Sequence, residues 1–288
     1  MQHQAHKLEQ IVGVTPPKNG HTRFLAVTSG KGGVGKTTLS ANIAYLLSQN
    51  GYKVGLFDAD IGLANLDVML GVRPHKNILH LLKGECAIED ILLEVHPNLW
   101  LVPGESGNEI FSFSDQTLLE RFFTELKKLD FLDYLILDTG AGISEHVQMF
   151  LDAADDVLVV SVPDPAAITD AYAMIKILSK KRDRIFFLLN QVTGPKEGQS
   201  VLGKIQKVAS ANLPNLTLDP VGFMGRDSDV ERSVKQRYLF SKEVPNCTAT
   251  SRLNEIVTHL VAKMEQRMLE GKEESGFSRF FKRLLNQF

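Results

Sequence analysis

Ten consecutive residues constrain this chain more than any others. Ser29-Gly30-Lys31-Gly32-Gly33-Val34-Gly35-Lys36-Thr37-Thr38 satisfies GxxxxGK[ST] from Gly30 to Thr37. The apolar run Phe24–Thr28 precedes it and a helical pattern, Leu39–Gln49, follows it. A strand, a glycine loop and a helix in that order make a phosphate cradle. The glycines let backbone N–H groups turn inward, and the helix presents its N-terminus to the anion. The nucleotide-binding set is therefore Gly32, Gly33, Val34, Gly35, Lys36, Thr37 and Thr38. Lys36 supplies charge to the β- and γ-phosphates, and Thr37 supplies a hydroxyl to Mg²⁺. Lys31 puts a second cation beside Lys36, an unfavourable pairing unless a phosphate compensates it.

Three carboxylates complete the expected site. The strand Lys53–Phe57 ends in Asp58-Ala59-Asp60, and Tyr134–Leu137 ends in Asp138. Ligands of open parallel sheets bind beyond the carboxyl ends of the strands. Asp60 is the candidate for ordering the attacking water and the ligands of Mg²⁺, with Asp58 supporting it. Asp138 is placed to hold Mg²⁺ through water, the Walker B arrangement. The small residues Thr139-Gly140-Ala141-Gly142 would let the backbone approach the γ-phosphate and move on hydrolysis. The three acids are expected at three successive strand ends. Lys31, Lys36 and Asp60 are the candidate catalytic residues.

Further apolar runs stand at Val54–Phe57, Leu99–Val102, Tyr134–Leu137, Val157–Val162 and Ile185–Leu189. Helical patterns at Gln116–Leu129, Ala166–Leu178, Val201–Ala211 and Leu253–Leu269 alternate with them. Continuous apolar strands between amphipathic helices predict an α/β fold, a mostly parallel twisted sheet with helices on both faces. Residues 1–22 read as a head and linker, 23–270 as the P-loop domain, and 271–288 as a tether and tail. With 32 basic and 34 acidic residues the net charge is -2, which argues against binding nucleic acid by bulk electrostatics. Two distant cysteines argue against a disulfide scaffold. The opening MQHQAHKLEQ lacks the apolar core of a signal peptide, and no run is long enough to span a membrane. A cytoplasmic chain is expected.

The tail is amphipathic. Phe277, Phe280, Phe281, Leu284, Leu285 and Phe288 share one helical arc, and Arg279, Lys282 and Arg283 are expected on the opposite side. This suits a helix lying in an anionic membrane surface. Burying one large apolar side chain contributes roughly 1.5–3 kcal/mol. Ordering each residue costs about 1–2 kcal/mol. One tail therefore binds weakly, and two on a dimer bind much more tightly.

The pattern KGGVGKTT resembles the deviant Walker A family, which contains MinD, ParA and the nitrogenase iron protein. The resemblance implies an ATPase in which Lys31 reaches across an ATP-sandwiched homodimer to the partner's nucleotide. DADIGLANLDVMLG is similar to the family's switch I, and DTGAG to its switch II. It implies that Asn190 contacts the base and that Arg226 and Asp227 lie on a second base-side loop. Asn190-Gln191-Val192-Thr193 lacks the aspartate of a guanine-reading NKxD, so ATP is expected over GTP. The tail resembles the membrane-targeting tail of MinD, implying a peripheral place on the cytoplasmic face of the inner membrane, set by nucleotide. In the head, Gln4, Ala5 and Leu8 match the DQAxxLR motif of the FlhG (FleN, YlxH) group, while His3 and Glu9 depart from it. That group limits flagellar number and placement, and its motif stimulates an FlhF-type GTPase. Residues 1–12 would then contact such a GTPase. MinD-like division-site placement, ParA-like DNA partitioning and a non-enzymatic scaffold are the other readings. The near-neutral charge disfavours the second and the complete set of site residues disfavours the third.

Overall fold

The computed structural model describes residues 22–60, 65–104, 116–270 and 276–285. The head motif, and Phe288 of the tail, lie outside them. Eight strands form one sheet: β1 (Arg23–Ser29), β2 (Val54–Ala59), β3 (Leu93–His96), β4 (Leu99–Val102), β5 (Tyr134–Ala141), β6 (Asp156–Ser161), β7 (Arg184–Val192) and β8 (Thr217–Gly225). Their order is β3-β4-β2-β5-β1-β6-β7-β8. All neighbours run parallel except β3, which is antiparallel to β4.

Alternation along β1 explains the layers. Phe24 and Ala26 join one apolar cluster, Leu25 and Val27 the other, and all four are fully buried. A strand covered on both faces needs no polar alternation, which is why its run is continuous. The cluster around Leu25 takes in α1 (Lys36–Gln49), α2 (Leu66–Leu70) and two helices near the C-terminus. On the other face lie α3 (Ile78–Leu82), α4 (Gln116–Lys127), α5 (Glu145–Ala153), α6 (Pro165–Leu178) and α7 (Pro195–Asn212). After β8 come α8 (Ser228–Gln236), α9 (Phe240–Glu243), α10 (Thr248–Glu270) and α11 (Gly276–Leu285).

Two strands differ from the sequence expectation. β3 is four half-exposed residues, too short and too polar to announce itself. β8 was not expected; it ends at Gly225, immediately before Arg226 and Asp227 of the expected base-side loop. It is an edge strand and therefore tolerates Pro220, which has no N–H to give a neighbour.

The tail also departs from expectation. It is a helix, but its apolar side is seated on the protein's own sheet. Phe280 stacks on Phe24 with centroids 4.1 Å apart, and Phe277 meets the same ring edge-on at 4.8 Å. Gly276 lies so close to Thr22 that an added Cβ would sit 1.7 Å from the Thr22 carbonyl oxygen. The basic residues do not all point away. Arg279 is ion-paired with Asp155, and Arg283 lies 3.7 Å from the same carboxylate, while Lys282 is exposed. Burial pushes the Asp155 carboxyl above its ordinary range, and Arg279 opposes that shift.

One buried polar link ties the C-terminal elements to α1. Asn42 Oδ1 accepts from the Ser241 backbone N–H (3.0 Å) and hydroxyl (2.7 Å), and its Nδ2 donates to Thr38 O at 2.8 Å. Asn42→Ala leaves the buried Ser241 N–H and hydroxyl without this acceptor, at about 1–3 kcal/mol. Urea unfolding should show a lower midpoint with an unchanged slope.

Candidate nucleotide site

The P-loop follows β1 and enters α1 through two left-handed glycines, Gly33 (φ +78°) and Gly35 (φ +90°). Gly35 is the N-cap of α1 and gives no side-chain cap. The helix therefore begins with N–H groups that need an acceptor, the condition for holding an anion. Above Gly32 and Gly33 the space is open, whereas a Cβ on Gly35 would lie 2.5 Å from Asn190 Nδ2. Together with Gly32, Gly33, Lys36, Thr37, Thr38, Asp60, Asn190 and Arg226, these residues line a cavity of about 980 Å³. That is the upper end of the usual size range of small-molecule sites, roughly 300–1,000 Å³.

At the floor, Lys36 Nζ lies 3.1 Å from Asp138 Oδ1 and both side chains are buried. Ser40 Oγ donates to the same oxygen at 2.9 Å. The carboxylates stand on two adjacent strands, not at three strand ends as expected. Asp58 is opposite Asp138 in the β2–β5 register, and Asp60 follows β2. Burial pushes the Asp58 carboxyl up to about 6, against the pull of backbone donors. Asp60 is raised too, by burial first, with Lys36 pulling it down and Asp138 pushing it up. A Cβ on Gly140 would sit 3.0 Å from Asp60 Oδ1, so a small residue is needed there.

On the expected base side, Asn190 and Arg226 line the cavity and also bind the protein itself. Asn190 Nδ2 donates to Val34 O at 2.8 Å, bracing the P-loop. Arg226 binds back to β7, its N–H to Val192 O at 3.0 Å and its Nε to Gln191 O at 3.3 Å. Asp227 caps α8 through Asp229 N at 2.8 Å. Lys31 is half exposed and pairs with Asp164 at 3.3 Å. Asp164 caps α6, and donors from Ala167 N–H and Lys31 hold its carboxyl below the usual range.

Ser40 and Asp164 are site residues that the sequence reading missed. Ser40 looks like any small residue in a buried helix. Asp164 carries the Asp-Pro signature of a helix start, but not its partner 133 residues away.

The residue set fits a Mg²⁺-nucleotide. Hydroxyl and carboxylate oxygens are the ligands a hard divalent cation prefers. Among the described residues no group of three or more His, Cys, Asp or Glu could hold a metal alone. Mg²⁺ generally binds through one or two carboxylates plus substrate phosphates, so such a cage is not required.

The family described as ParA, NUBPL iron-transfer P-loop NTPase, matches residues 20–260. The flagellum site-determining protein YlxH of Helicobacter pylori is 47% identical over 291 residues, covering 99% of each chain. The antiactivator FleN of Pseudomonas aeruginosa is 37% identical over 79% of this chain and 82% of its own. Among solved structures, a chain of the MinC:MinD cell division protein complex of Aquifex aeolicus superposes with a TM-score of 0.67. It is 27% identical, covering 84% of this chain and 96% of that one.

The floor of the site yields a prediction. Ser40→Ala removes one donor from Asp138 and leaves the P-loop intact. A hydrogen bond to a charged group contributes about 1.5–3 kcal/mol. Steady-state nucleotide hydrolysis should slow by roughly tenfold or more. Nucleotide affinity, measured by fluorescence titration, should change much less.

Proposed function

The chain belongs to the ParA/MinD family of P-loop NTPases and is a MinD-like ATPase, and from that premise we propose that it dimerises on ATP, binds the inner membrane through its tail and regulates flagellar number and placement. The whole-chain likeness to the Helicobacter pylori flagellum site-determining protein supports the flagellar part. Residues 1–12 are proposed to engage an FlhF-type GTPase, on the head motif alone.

In this reading Lys36 takes the β- and γ-phosphates of ATP and Asp60 orders the attacking water. Thr37, Asp60 and Asp138 hold Mg²⁺ directly or through water, and the ion supplies neutralising charge to the phosphate oxygens. Asn190 and Arg226 flank the base. Lys31 leaves Asp164 and crosses to the partner's nucleotide. The exposure of the Lys31–Asp164 pair supports this, because a surface pair contributes only about 0–1 kcal/mol and exchanges readily.

The observation that carries the membrane part is the placement of α11. Arg279 and Arg283, the cations that would meet lipid phosphates, are already at Asp155. Phe277 and Phe280, which would enter the acyl boundary, are already under Phe24. Docked and membrane-bound tails therefore exclude each other. The seat is also tied to the site. β1 carries Phe24 near one end and the P-loop at the other, while α5, which packs against α11, follows the Gly140–Gly142 segment at the end of β5. A displacement of that segment by the γ-phosphate would be transmitted to the tail's seat. Among the described residues no helix is long and apolar enough to cross a membrane.

Two experiments test this. Asp60→Ala should bind ATP and accumulate as a dimer by light scattering, and Lys36→Ala should stay monomeric for want of nucleotide. A monomeric Asp60→Ala protein that holds ATP would sink the dimer reading. Asp155→Asn keeps an acceptor for the Phe24 N–H but removes the charge that holds Arg279 and Arg283. Without ATP, its pelleting with anionic liposomes should rise roughly tenfold or more, the equivalent of one or two charge-assisted bonds. Pelleting unchanged from the parent protein would mean that the docked tail does not govern membrane binding.

A further inference from the structure

Asp58 is buried, stands beside Asp138 on the neighbouring strand, and has no cation partner among the described residues. A buried carboxylate beside another acid is costly, and its contacts must offset that cost. They are all backbone donors. Asp58 Oδ1 accepts from Asp60 N–H at 3.3 Å, and Oδ2 accepts from Asn65 N–H at 2.9 Å and Leu66 N–H at 3.0 Å. One side chain thus joins the residue that follows β2 to the start of α2. Behind it the backbone is fixed: a Cβ on Gly104 would lie 2.1 Å from Asp58 O. No alternative acceptor for these three N–H groups is evident among the described residues. Asp60, in turn, lines the cavity beside Gly140 and feels the charge of Lys36.

We propose that Asp58 is the positioning residue for hydrolysis: it clamps Asp60 to the first turn of α2, so that the Asp60 carboxylate is held at the phosphate end of the cavity before nucleotide arrives. This rests on the proposed role of Asp60. Asp58 itself touches no reacting atom. Its contribution appears in the rate and not in the binding of nucleotide, since no P-loop contact depends on it.

The test is a kinetic cycle on the full chain, with Mg²⁺ and ATP, using Asp58→Ala, Asp58→Asn, Asp60→Ala and the Asp58→Ala/Asp60→Ala double variant. Asp58→Ala should lower kcat at least tenfold, with KM and the affinity for a non-hydrolysable ATP analogue within about threefold. Asp58→Asn, whose single oxygen can still serve Asn65 and Leu66 but whose amide nitrogen then meets the Asp60 N–H, should recover only part of that loss. The double variant should be no slower than Asp60→Ala, because Asp58 acts through Asp60. The proposal is overturned if Asp58→Ala hydrolyses normally while Asp60→Ala does not, or if affinity falls as much as kcat. It is also overturned if the Asp58 substitution slows the Asp60→Ala protein further. Normal hydrolysis by Asp60→Ala would instead remove the role of Asp60, and the clamp's purpose with it. Should Asp58→Ala fail to fold, Asp58→Asn decides: full kcat or lost affinity overturns the proposal, and a partial kcat loss at unchanged affinity supports it.

Discussion

A buried ammonium must be compensated, and that requirement organises this molecule. Lys36 lies buried at the foot of α1 and is paired with Asp138 on β5. Without Asp138 the cation would be left buried and unpaired, which is strongly destabilising. Ser40 holds the acid from the next turn of α1, so helix and strand are joined by charge as well as by packing. A phosphate chain offers Lys36 an alternative anion of higher charge. In the proposed reading, binding would release Asp138 for Mg²⁺, and the end of β5 that follows it would sense the change.

The parts of the fold that could be read from the sequence are those whose physics is local. Central strands are covered on both faces, so Phe24–Thr28 and Tyr134–Leu137 show as unbroken apolar runs. The P-loop is recognisable because glycine conformations and a lysine-threonine pair must occur in fixed order. β3 and β8 lie at the sheet edges, half exposed, and carry no such run. The α5 helix has only nine residues and follows a glycine-rich segment, which masked it.

The site shows the same division. Lys36, Thr37, Asp60 and Asp138 were legible from residue type and place. The Asp164 partner of Lys31, the Asn190 brace under Val34 and the Ser40 donor were not, because each depends on which distant segments the fold brings together. Likewise the tail's amphipathicity was plain, but a helix of that kind fits any apolar surface with an acidic edge. Only the fold reveals that Phe24 and Asp155 make such a surface at the near end of β1 and β6.

The seat under α11 has a quantitative consequence for anything else that would take that helix. Its apparent affinity for another surface is its intrinsic affinity multiplied by the fraction of molecules in which the helix is free. Docking worth about 2.8 kcal/mol leaves roughly one helix in a hundred free, a hundredfold weakening for one tail. For two tails that must act together the penalty is squared, roughly ten-thousandfold. Any small change in the seat's strength is then amplified in the amount of protein attached. Phe24, Asp155 and the close contact of Gly276 with Thr22 thus set a threshold, and the steepness of the response follows from how many tails must cross it.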